Sequence, residues 1–311
     1  MKVAAVQFEN KNGDKKYNLD LMERYATEAK SNGCQVISFN ECCIPGYTFA
    51  KRLTYDELLE VAEFVPDGPS VQALMDMSTR LNIAILAGLY EKDSEGKIYN
   101  TYVCVHGQEF VAKFRKLHPF ISKFLSPGDS YVVFDLFGWK CGILICYDNN
   151  VIENVRATTL LGAEVIFMPH VTGCTPSKGP GRGFVDPKLW EQRHVDPVRL
   201  RQELDGPKSR GWLMKWLPAR AYDNGIYAVF TNPIGMDDDQ LKGGHAMVID
   251  PFGEIIAECR DKLDDDMCVS VLTKEKLEAA GGYRYRNARR LELYKDIFNK
   301  DHDSTFKVSW L

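Results

Sequence analysis

The sequence predicts an α/β fold in which mixed β-sheets are covered by helices on the outside. Short apolar segments of strand length, such as Val3–Phe8 and Ile83–Leu89, alternate along the chain with helix-like stretches. In Tyr17–Ser31, for example, apolar side chains recur at helical spacing and fall on one face. Turn-like residues between neighbouring strands add hairpins to this alternation, which indicates antiparallel as well as parallel pairing.

Twelve strands and four helices are predicted from the spacing of apolar residues and from the turn residues between them. The predicted strands are, in chain order, Val3–Phe8, Val36–Asn40, Ile83–Leu89, Ile98–His106, Glu109–Phe114, Val132–Phe137, Lys140–Ile145, Glu164–Met168, Ile226–Thr231, His245–Asp250, Glu254–Glu258 and Met267–Val271. The predicted helices are Tyr17–Ser31, Val71–Leu81, Val151–Leu161 and Trp212–Asp223. Hairpin turns are expected at Gly107-Gln108, at Gly138 and at Pro251-Phe252-Gly253.

The composition is that of a soluble globular protein whose function involves neither nucleic acid nor a membrane. With 311 residues, of which 45% are hydrophobic and 26% charged, the chain could form one large domain or two smaller ones. A net charge of −4 gives no basis for binding nucleic acid or an anionic membrane. Apolar runs such as Ile83–Tyr90 are too short to span a bilayer, and residues 1–6 lack the apolar core of a signal peptide.

The nine cysteines predict neither a disulfide framework nor a metal site. Their number is odd, several lie in apolar strand-like runs, and no pair has the CxxC spacing of zinc ribbons or thioredoxin-like motifs. We therefore expect a reduced, cytoplasmic protein without a bound metal.

Cys146 lies where a buried strand is expected to turn into a helix. It ends the apolar run Gly142–Ile145 and precedes Tyr147-Asp148 and the predicted helix Val151–Leu161. A thiol at such a turn can project from the sheet, close to backbone N–H groups and a helix start that favour its thiolate. The alternative is a core cysteine, because free cysteine is among the most buried residue types.

Two charged residues also lie where predicted strands end. Glu41 follows the strand Val36–Asn40, and Lys116 comes shortly after the strand Glu109–Phe114. In α/β proteins, functional groups gather at strand ends, where loops meet a rigid sheet. Taken alone, each of the two is more simply explained as a solvated charge.

Taken together, the segments around these three residues resemble the motif blocks of the nitrilase superfamily of carbon–nitrogen hydrolases. The blocks are, in order, Glu41–Tyr47, Arg115–His118, Ser126–Asp129, Cys146–Arg156, Pro218–Tyr227 and Gly244–Gly253. The resemblance covers nearly the whole chain, from Val3 to Val271. It implies a four-layer α-β-β-α sandwich with mixed sheets, a carbon–nitrogen hydrolase domain at residues 1–275 and an enzyme without a cofactor.

The resemblance implies a triad of Glu41, Lys116 and Cys146. In this triad the cysteine thiolate attacks a carbonyl or nitrile carbon and forms a covalent intermediate, which divides the hydrolysis into two steps. Glu41 takes the thiol proton, protonates the leaving nitrogen and then activates water. Lys116 and the backbone N–H of Tyr147 stabilise the negative charge that develops on the tetrahedral species.

The implied reaction is the hydrolysis of a small linear amide or N-carbamoyl compound, with release of ammonia. Tyr147, Tyr47 and His170 are expected to line the substrate site, although His170 could equally be a structural histidine. A nitrilase is the near alternative. Family nitrilases often carry a tryptophan or other aromatic residue directly after the cysteine. Tyrosine, which follows the cysteine here, is commoner in amidases and carbamoylases. Two other classes stay open, namely an acyltransferase that passes the thioester to another acceptor and a catalytically silent scaffold.

One position departs from the family pattern. Many members carry a second glutamate shortly after the lysine, where it holds the lysine and positions the substrate. Depending on the alignment, Ile121 or Lys123 occupies that place, and neither can act as a carboxylate. His118, Asp148 or an acidic residue of the segment 171–211 is a candidate for this role.

The segment 171–211 interrupts the alternation of strands and helices and is rich in glycine, proline and charge. A loop of this length is usually functional or disordered, and Trp190 within it favours order. Members that act on N-carbamoyl amino acids also lengthen the chain here, so we hypothesise a lid over the pocket. Four arginines could then pair with a substrate carboxylate, namely Arg182, Arg193, Arg199 and Arg201. A solvated or subunit-contacting insertion explains any single arginine equally well.

Residues 276–311 form a C-terminal extension beyond the implied domain. Members of the superfamily usually pair across helices, so a homodimer or larger homo-oligomer is expected, and a small-molecule substrate is the other expected partner. The apolar residues of the tail, Val308–Leu311, are predicted to dock on a second subunit.

Overall fold

The computed structural model describes residues 1–302 and 304. Within them the strands are β1 (Lys2–Gln7), β2 (Val36–Ser38), β3 (Ala84–Lys92), β4 (Ile98–His106), β5 (Glu109–Arg115), β6 (Val133–Leu136), β7 (Trp139–Ile143), β8 (Val165–Pro169), β9 (Tyr227–Thr231), β10 (Ile234–Asp237), β11 (Gln240–Gly243), β12 (Met247–Ile249), β13 (Ile255–Glu258) and β14 (Asp266–Val271).

The α-helices of the same residues are α1 (Lys15–Ser31), α2 (Tyr55–Val61), α3 (Pro69–Leu81), α4 (Ile152–Leu160), α5 (Pro187–Glu191), α6 (Pro197–Asp205), α7 (Arg210–Leu213), α8 (Leu217–Asn224), α9 (Glu275–Ala279), α10 (Gly281–Asn287) and α11 (Leu291–Phe298). Two 3-10 helices lie at Thr48–Arg52 and Cys146–Asn149. In the part of the chain that the structure describes, no helix combines the length and the apolar character needed to cross a membrane.

The strands form two six-stranded mixed sheets and one two-stranded hairpin. In the first sheet, of order β14-β1-β2-β3-β4-β5, the strands β1, β2 and β3 are parallel and the other pairs are antiparallel. In the second sheet, of order β13-β12-β9-β8-β7-β6, the parallel strands are β7, β8 and β9. Each sheet thus contains three adjacent parallel strands, whose carboxyl ends lie along one edge.

The alternation of side chains along β1 explains the layers of the fold. Ala5 lies in the same buried cluster as Phe230 of the second sheet, whereas its neighbour Ala4 packs in a cluster with Leu21 of α1. Successive side chains of a strand point to opposite faces, so this sheet is covered on both sides. Helices α1 and α3 cover the first sheet, and α4 and α8 cover the second. The predicted α-β-β-α sandwich is confirmed.

The predicted strands are all present, with ends that differ by a few residues. The predicted helix Trp212–Asp223 is wrong as a single helix, because it is divided into α7 and α8. Pro218 lies in the first turn of α8 and has no backbone N–H to donate to the preceding turn, so a new helix begins there. The sequence pattern also misses α2 and the hairpin β10–β11, which contain too few apolar residues for a clear period.

The segment 171–211 is ordered and forms a small core of its own. Helices α5 and α6 each begin at an Asp-Pro pair, in which the carboxylates of Asp186 and Asp196 accept hydrogen bonds from backbone N–H groups of the first turn. Trp190 of α5 is buried in a cluster that also contains Leu241 of β11. The segment is therefore fixed against the hairpin β10–β11, and its role as a lid stays a prediction.

The C-terminal extension folds back onto α8. Gly282 of α10 lies so close to α8 that a Cβ at this position would be 2.1 Å from the backbone nitrogen of Gly225. Helix α11, which follows, has no buried residue. The predicted docking residues Val308–Leu311 lie outside the described residues, and the subunit contact stays a prediction.

Candidate active site

The three residues of the predicted triad come together at one edge of the sheets. Glu41 lies shortly after β2, Lys116 directly after β5 and Cys146 shortly after β7. The Nζ atom of Lys116 is 2.5 Å from Oε1 of Glu41, and neither side chain has any exposed surface. The Glu41 carboxylate also lies close enough to the Cys146 thiol to raise the pKa of the thiol. An acid, an ammonium and a thiol from distant parts of the chain therefore share one small space.

Cys146 occupies a strained turn between β7 and α4. Its φ of +52° lies in the left-handed region, which a residue with a Cβ rarely adopts and which costs on the order of 1–3 kcal/mol. The side-chain amide of Asn149 holds the turn by donating to the carbonyl oxygens of Leu144 (2.8 Å) and Cys146 (3.2 Å). The predicted strand-to-helix turn is confirmed, and the thiol is half-buried rather than enclosed in the core.

The Glu41 carboxylate is oriented by further donors besides the lysine. Its Oε1 atom accepts a hydrogen bond of 2.6 Å from the side-chain amide of Asn100, and its Oε2 atom accepts one of 3.1 Å from the backbone N–H of Val171. Asn100 is a buried residue of β4 that the sequence analysis missed, because a single asparagine inside a strand gives no motif. The carboxylate is therefore fixed in one orientation beside the thiol.

The charges of the site stabilise one another. Burial on its own lowers the pKa of Lys116, but the charge of Glu41 and other nearby groups raises the pKa well above its usual value, so the ammonium stays protonated. Burial and the charge of Glu41 raise the pKa of Cys146 to about 12, although Lys116 lowers it in part. The resting thiol is therefore protonated at neutral pH and needs a base before it can act as a nucleophile.

Asp148 ties the turn after β5 to the turn that carries the thiol. Its fully buried carboxylate accepts hydrogen bonds from the backbone N–H groups of Leu117 (3.2 Å), His118 (2.9 Å) and Ile145 (3.3 Å). The Nδ1 atom of His118 lies 2.8 Å from the same carboxylate. Two of these residues adjoin the lysine and the cysteine of the predicted triad, so Asp148 fixes the position of the ammonium relative to the sulfur.

Aromatic rings surround the Lys116 ammonium. Its Nζ atom lies 5.5 Å from the ring centres of both Tyr47 and Phe120, which is within the range of cation–π attraction. Tyr147 packs edge-to-face on Phe120, with 4.7 Å between the ring centres. The structure thus brings the two predicted tyrosines to the site, together with Phe120, which the sequence analysis missed because no motif contains it.

His170 is buried next to the turn that carries Cys146, and its role in lining the substrate site stays a prediction. The side chain is fully buried and stacks on the ring of Trp216, with 5.6 Å between the ring centres. Its Nε2 atom is 3.1 Å from the amide nitrogen of Asn149, the residue that holds the Cys146 turn. Burial, with a smaller contribution from the charge of Lys116, lowers the pKa of His170 well below its usual value, so the ring is neutral.

The four arginines of the segment 171–211 do not converge on the triad. Arg193 and Arg201 line a cavity of about 660 Å³ whose other lining residues are His194, three residues of α6 and the loop 261–264, and none of the triad residues lies there. Arg199 is exposed on α6. Arg182 stacks on the ring of Trp212, with 3.9 Å between the guanidinium carbon and the ring centre. The carboxylate role predicted for these arginines is supported by none of these positions.

The two residues at the place of the family's second glutamate contribute no charge to the site. Ile121 packs against an apolar cluster around Tyr90, and Lys123 is exposed and lies over the ring of Phe124. Asn100 does not replace this glutamate, because it holds Glu41 rather than the lysine. Among residues 1–302 and 304, no group of three or more His, Cys, Asp or Glu side chains is arranged to hold a metal ion.

The site therefore combines a buried acid–lysine pair with a thiol on a strained turn, at the strand ends of an α-β-β-α sandwich. Residues 2–280 match the model of the carbon-nitrogen hydrolase family. The chain belongs to this family, which confirms the resemblance found in the sequence, and it is a carbon–nitrogen hydrolase of the nitrilase and amidase type.

Individual relatives agree with the family match. A nitrilase of Pyrococcus abyssi is 36% identical over 260 residues, which cover 83% of this chain and 84% of the relative. An (R)-stereoselective amidase of a Pseudomonas species is 30% identical over 299 residues, which cover 94% of this chain and 93% of the relative. Among solved structures, a cysteine-to-serine mutant of the Nesterenkonia AN1 amidase from the nitrilase superfamily has the same fold, with a TM-score of 0.70, 21% identity and coverage of 96% and 97% of the two chains.

Replacing Asp148 by asparagine tests its role in positioning the lysine and the thiol. In Asp148→Asn, an NH2 group replaces one carboxylate oxygen and faces backbone N–H donors, so hydrogen bonds to that oxygen are lost. Each lost charge-assisted hydrogen bond lowers the stability by about 1.5–3 kcal/mol. We expect the free energy of unfolding to fall by about 3 kcal/mol and kcat for a hydrolysed amide to fall at least about tenfold. The control Asp129→Asn changes an exposed carboxylate, so chemical denaturation and kinetics should both stay close to wild type. An unchanged kcat in Asp148→Asn would contradict the positioning role.

Titration of the thiol tests the electrostatics of the site. Glu41 raises the pKa of Cys146 and Lys116 lowers it, so Glu41→Gln should lower the pKa of the thiol below its wild-type value of about 12. The measurement is the ultraviolet absorbance of the thiolate, taken as the difference between each protein and its Cys146→Ser counterpart. We expect no thiolate signal in the wild type up to about pH 10 and a signal at lower pH in Glu41→Gln. The control Glu153→Gln alters an exposed carboxylate of α4 and should leave the titration unchanged. A thiol pKa that rises in Glu41→Gln would contradict the account.

Proposed function

We propose that the protein hydrolyses a small linear amide or an N-carbamoyl compound, with Cys146 as the nucleophile. The observation that carries this proposal is the buried ion pair of Glu41 and Lys116, whose charges both act on the pKa of the Cys146 thiol. A protonated thiol needs a base to become a nucleophile, and Glu41 can act as that base. The oxyanion formed by the attack needs a fixed positive charge, which Lys116 can supply.

In the proposed first step, Glu41 accepts the thiol proton while the sulfur of Cys146 forms a bond to the carbonyl carbon of the substrate. The carbonyl oxygen becomes an oxyanion, which the ammonium of Lys116 and the backbone N–H of Tyr147 stabilise. Donors of this kind contribute about 3 kcal/mol each to transition-state stabilisation. The C–N bond then breaks, Glu41 returns its proton to the leaving nitrogen, and ammonia leaves a thioester on the enzyme.

In the proposed second step, a water molecule replaces ammonia. Glu41 accepts a proton from the water as its oxygen attacks the thioester carbon, and the same donors stabilise the second oxyanion. The C–S bond breaks, the thiol regains a proton from Glu41, and the carboxylic or carbamic acid is released. Hydrogen bonds from Asn100 and from the backbone N–H of Val171 orient the Glu41 carboxylate. A fixed orientation suits a group that takes a proton from the sulfur and delivers it to the leaving nitrogen.

A nitrile is the alternative substrate, since one relative of this chain is named a nitrilase and another an amidase. Attack on a nitrile carbon would give a thioimidate, which needs one more water to reach the thioester. The same three residues serve both reactions, so the product formed from each type of substrate distinguishes them.

Intact-mass spectrometry with a panel of small amides, N-carbamoyl compounds and nitriles tests the proposal. We expect ammonia release together with a mass increase equal to one acyl group, localised to Cys146 by peptide mapping. Cys146→Ala should abolish the adduct and lower kcat by on the order of 10⁴-fold or more. Cys34→Ala, which removes a buried thiol in the turn after α1, should keep both adduct and activity.

The outcomes separate the other classes. Undiminished hydrolysis by Cys146→Ala would overturn the proposed nucleophile. Turnover of nitriles but not of amides would favour a nitrilase, and formation of hydroxamate with added hydroxylamine, at the expense of acid, would favour an acyltransferase. A folded wild-type protein that forms neither adduct nor ammonia with any compound would favour a silent scaffold.

A further inference from the structure

The cavity between α6 and the loop 261–264 has no part in the mechanism above. Its volume is about 660 Å³, which is within the usual range of small-molecule sites, and no triad residue lines it. Four residues of α6 contribute to its wall from one face of the helix, namely Pro197, Val198, Arg201 and Gln202. The segment 171–211 and the loop 261–264 therefore enclose a space large enough for a small molecule.

Two arginines of this cavity have hydrogen-bond donors that the protein does not use. Arg201 is half-buried, and within the described part of the chain it forms no ion pair within 4.0 Å and no side-chain hydrogen bond. Arg193 stacks on the ring of Trp190, and its Nη1 atom donates a hydrogen bond of 3.1 Å to the carbonyl oxygen of that residue. Its buried Nε atom has no partner among the described residues. The planar fork of a guanidinium matches a carboxylate, so the two arginines can bind one.

The loop 261–264 supplies a carboxylate and apolar surface to the same cavity. Asp261 is exposed, and in residues 1–302 and 304 it forms neither an ion pair within 4.0 Å nor a side-chain hydrogen bond. Its neighbour Lys262 is already paired, with 2.7 Å between its Nζ atom and the carboxylate of Asp266. Leu263 of the loop and Val198 of α6 add apolar side chains to the lining. The cavity thus combines unpaired positive charge, unpaired negative charge and apolar surface.

We propose that this cavity binds a zwitterionic α-amino acid with an apolar side chain. The guanidinium groups of Arg193 and Arg201 bind its carboxylate, and Asp261 accepts hydrogen bonds from its ammonium group. The side chain of the ligand packs on Val198 and Leu263. A phosphate or a dicarboxylate is a poorer ligand, because Asp261 repels a second negative charge. The cavity contains no triad residue, so its ligand is not the substrate of the proposed hydrolysis.

Other charged residues of this region lie elsewhere or are already engaged. Arg182 has buried Nε and Nη1 atoms without a hydrogen-bond partner in the described chain, but it stacks on Trp212 and does not line this cavity. Asp264 does line it, and its Oδ1 atom accepts a hydrogen bond of 3.0 Å from the backbone N–H of Asp265. Arg199 of α6 is exposed and is not part of the lining, so it provides a matched control for Arg201 on the same helix.

Isothermal titration calorimetry with leucine and two analogues tests the site. The analogue 4-methylpentanoate lacks the ammonium group, and 3-methylbutylamine lacks the carboxylate. The wild type should bind one leucine per chain, at least about tenfold more tightly than either analogue, since a hydrogen bond to a charged group is worth about 10- to 100-fold in binding. The melting temperature should rise with leucine concentration, because the ligand binds the folded state. Phenylalanine, with 3-phenylpropanoate and 2-phenylethylamine, repeats the comparison with a larger side chain.

Three variants locate the ligand in this cavity. Arg201→Met should weaken the binding of leucine and of 4-methylpentanoate, each at least about tenfold. Asp261→Asn, which changes an exposed side chain, should weaken leucine by a similar factor and leave 4-methylpentanoate unchanged. The control Arg199→Met should bind all three compounds like the wild type. In the absence of leucine, kcat/KM for a hydrolysed amide should be the same in the three variants as in the wild type.

The wild-type measurements alone are sufficient to overturn the site, whether or not a variant folds. Absence of binding heat and of a shift in melting temperature with both leucine and phenylalanine would do so. Equal affinities for each amino acid and its analogue without the ammonium group would do so as well, and so would unchanged leucine binding by a folded Arg201→Met. Each of these results leaves the amide hydrolysis intact. A protein that binds leucine as expected but hydrolyses no amide, N-carbamoyl compound or nitrile would instead overturn the proposed function alone.

Discussion

Lys116 and Glu41 form an ion pair, with 2.5 Å between Nζ and Oε1, in a place that has no exposed surface. Removing two such ions from water costs several kcal/mol each, and their attraction offsets this cost only if further hydrogen bonds satisfy the remaining lone pairs. Asn100 and the Val171 N–H supply those bonds to the carboxylate. The rest of the site depends on this pair, because it holds a base and a positive charge beside one thiol.

The surrounding structure keeps the thiol beside the pair at a conformational cost. Cys146 adopts a left-handed backbone conformation, and Asn149, supported by the buried His170, holds it there. Asp148 binds the two turns together through their backbone N–H groups. A thiol with a raised pKa is unreactive at rest, so the same burial that protects it makes the neighbouring carboxylate necessary.

The triad could be predicted because the segments around its members resemble the motif blocks of a known family, whereas their positions after strands would not have been sufficient alone. Asn100 could not be predicted, since it lies inside a strand and its contact with Glu41 depends on which strands become neighbours. The positions of the arginines in the segment 171–211 could not be predicted either, because the number of charges in a segment does not reveal where its helices pack. Pro218 indicated a division between α7 and α8. The apolar residues, however, keep a helical spacing across this point and therefore favoured a single helix.

A double-mutant cycle on the ion pair tests the central claim most directly. The measurement is the free energy of unfolding of the wild type, Glu41→Gln, Lys116→Met and the double variant. We predict that each single change lowers it by about 3–5 kcal/mol, because each leaves a buried charge unpaired. The double variant should lose at least about 2 kcal/mol less than the sum of the two single changes. Losses that add to within about 0.5 kcal/mol would contradict the account, because they would mean that the two groups do not stabilise each other.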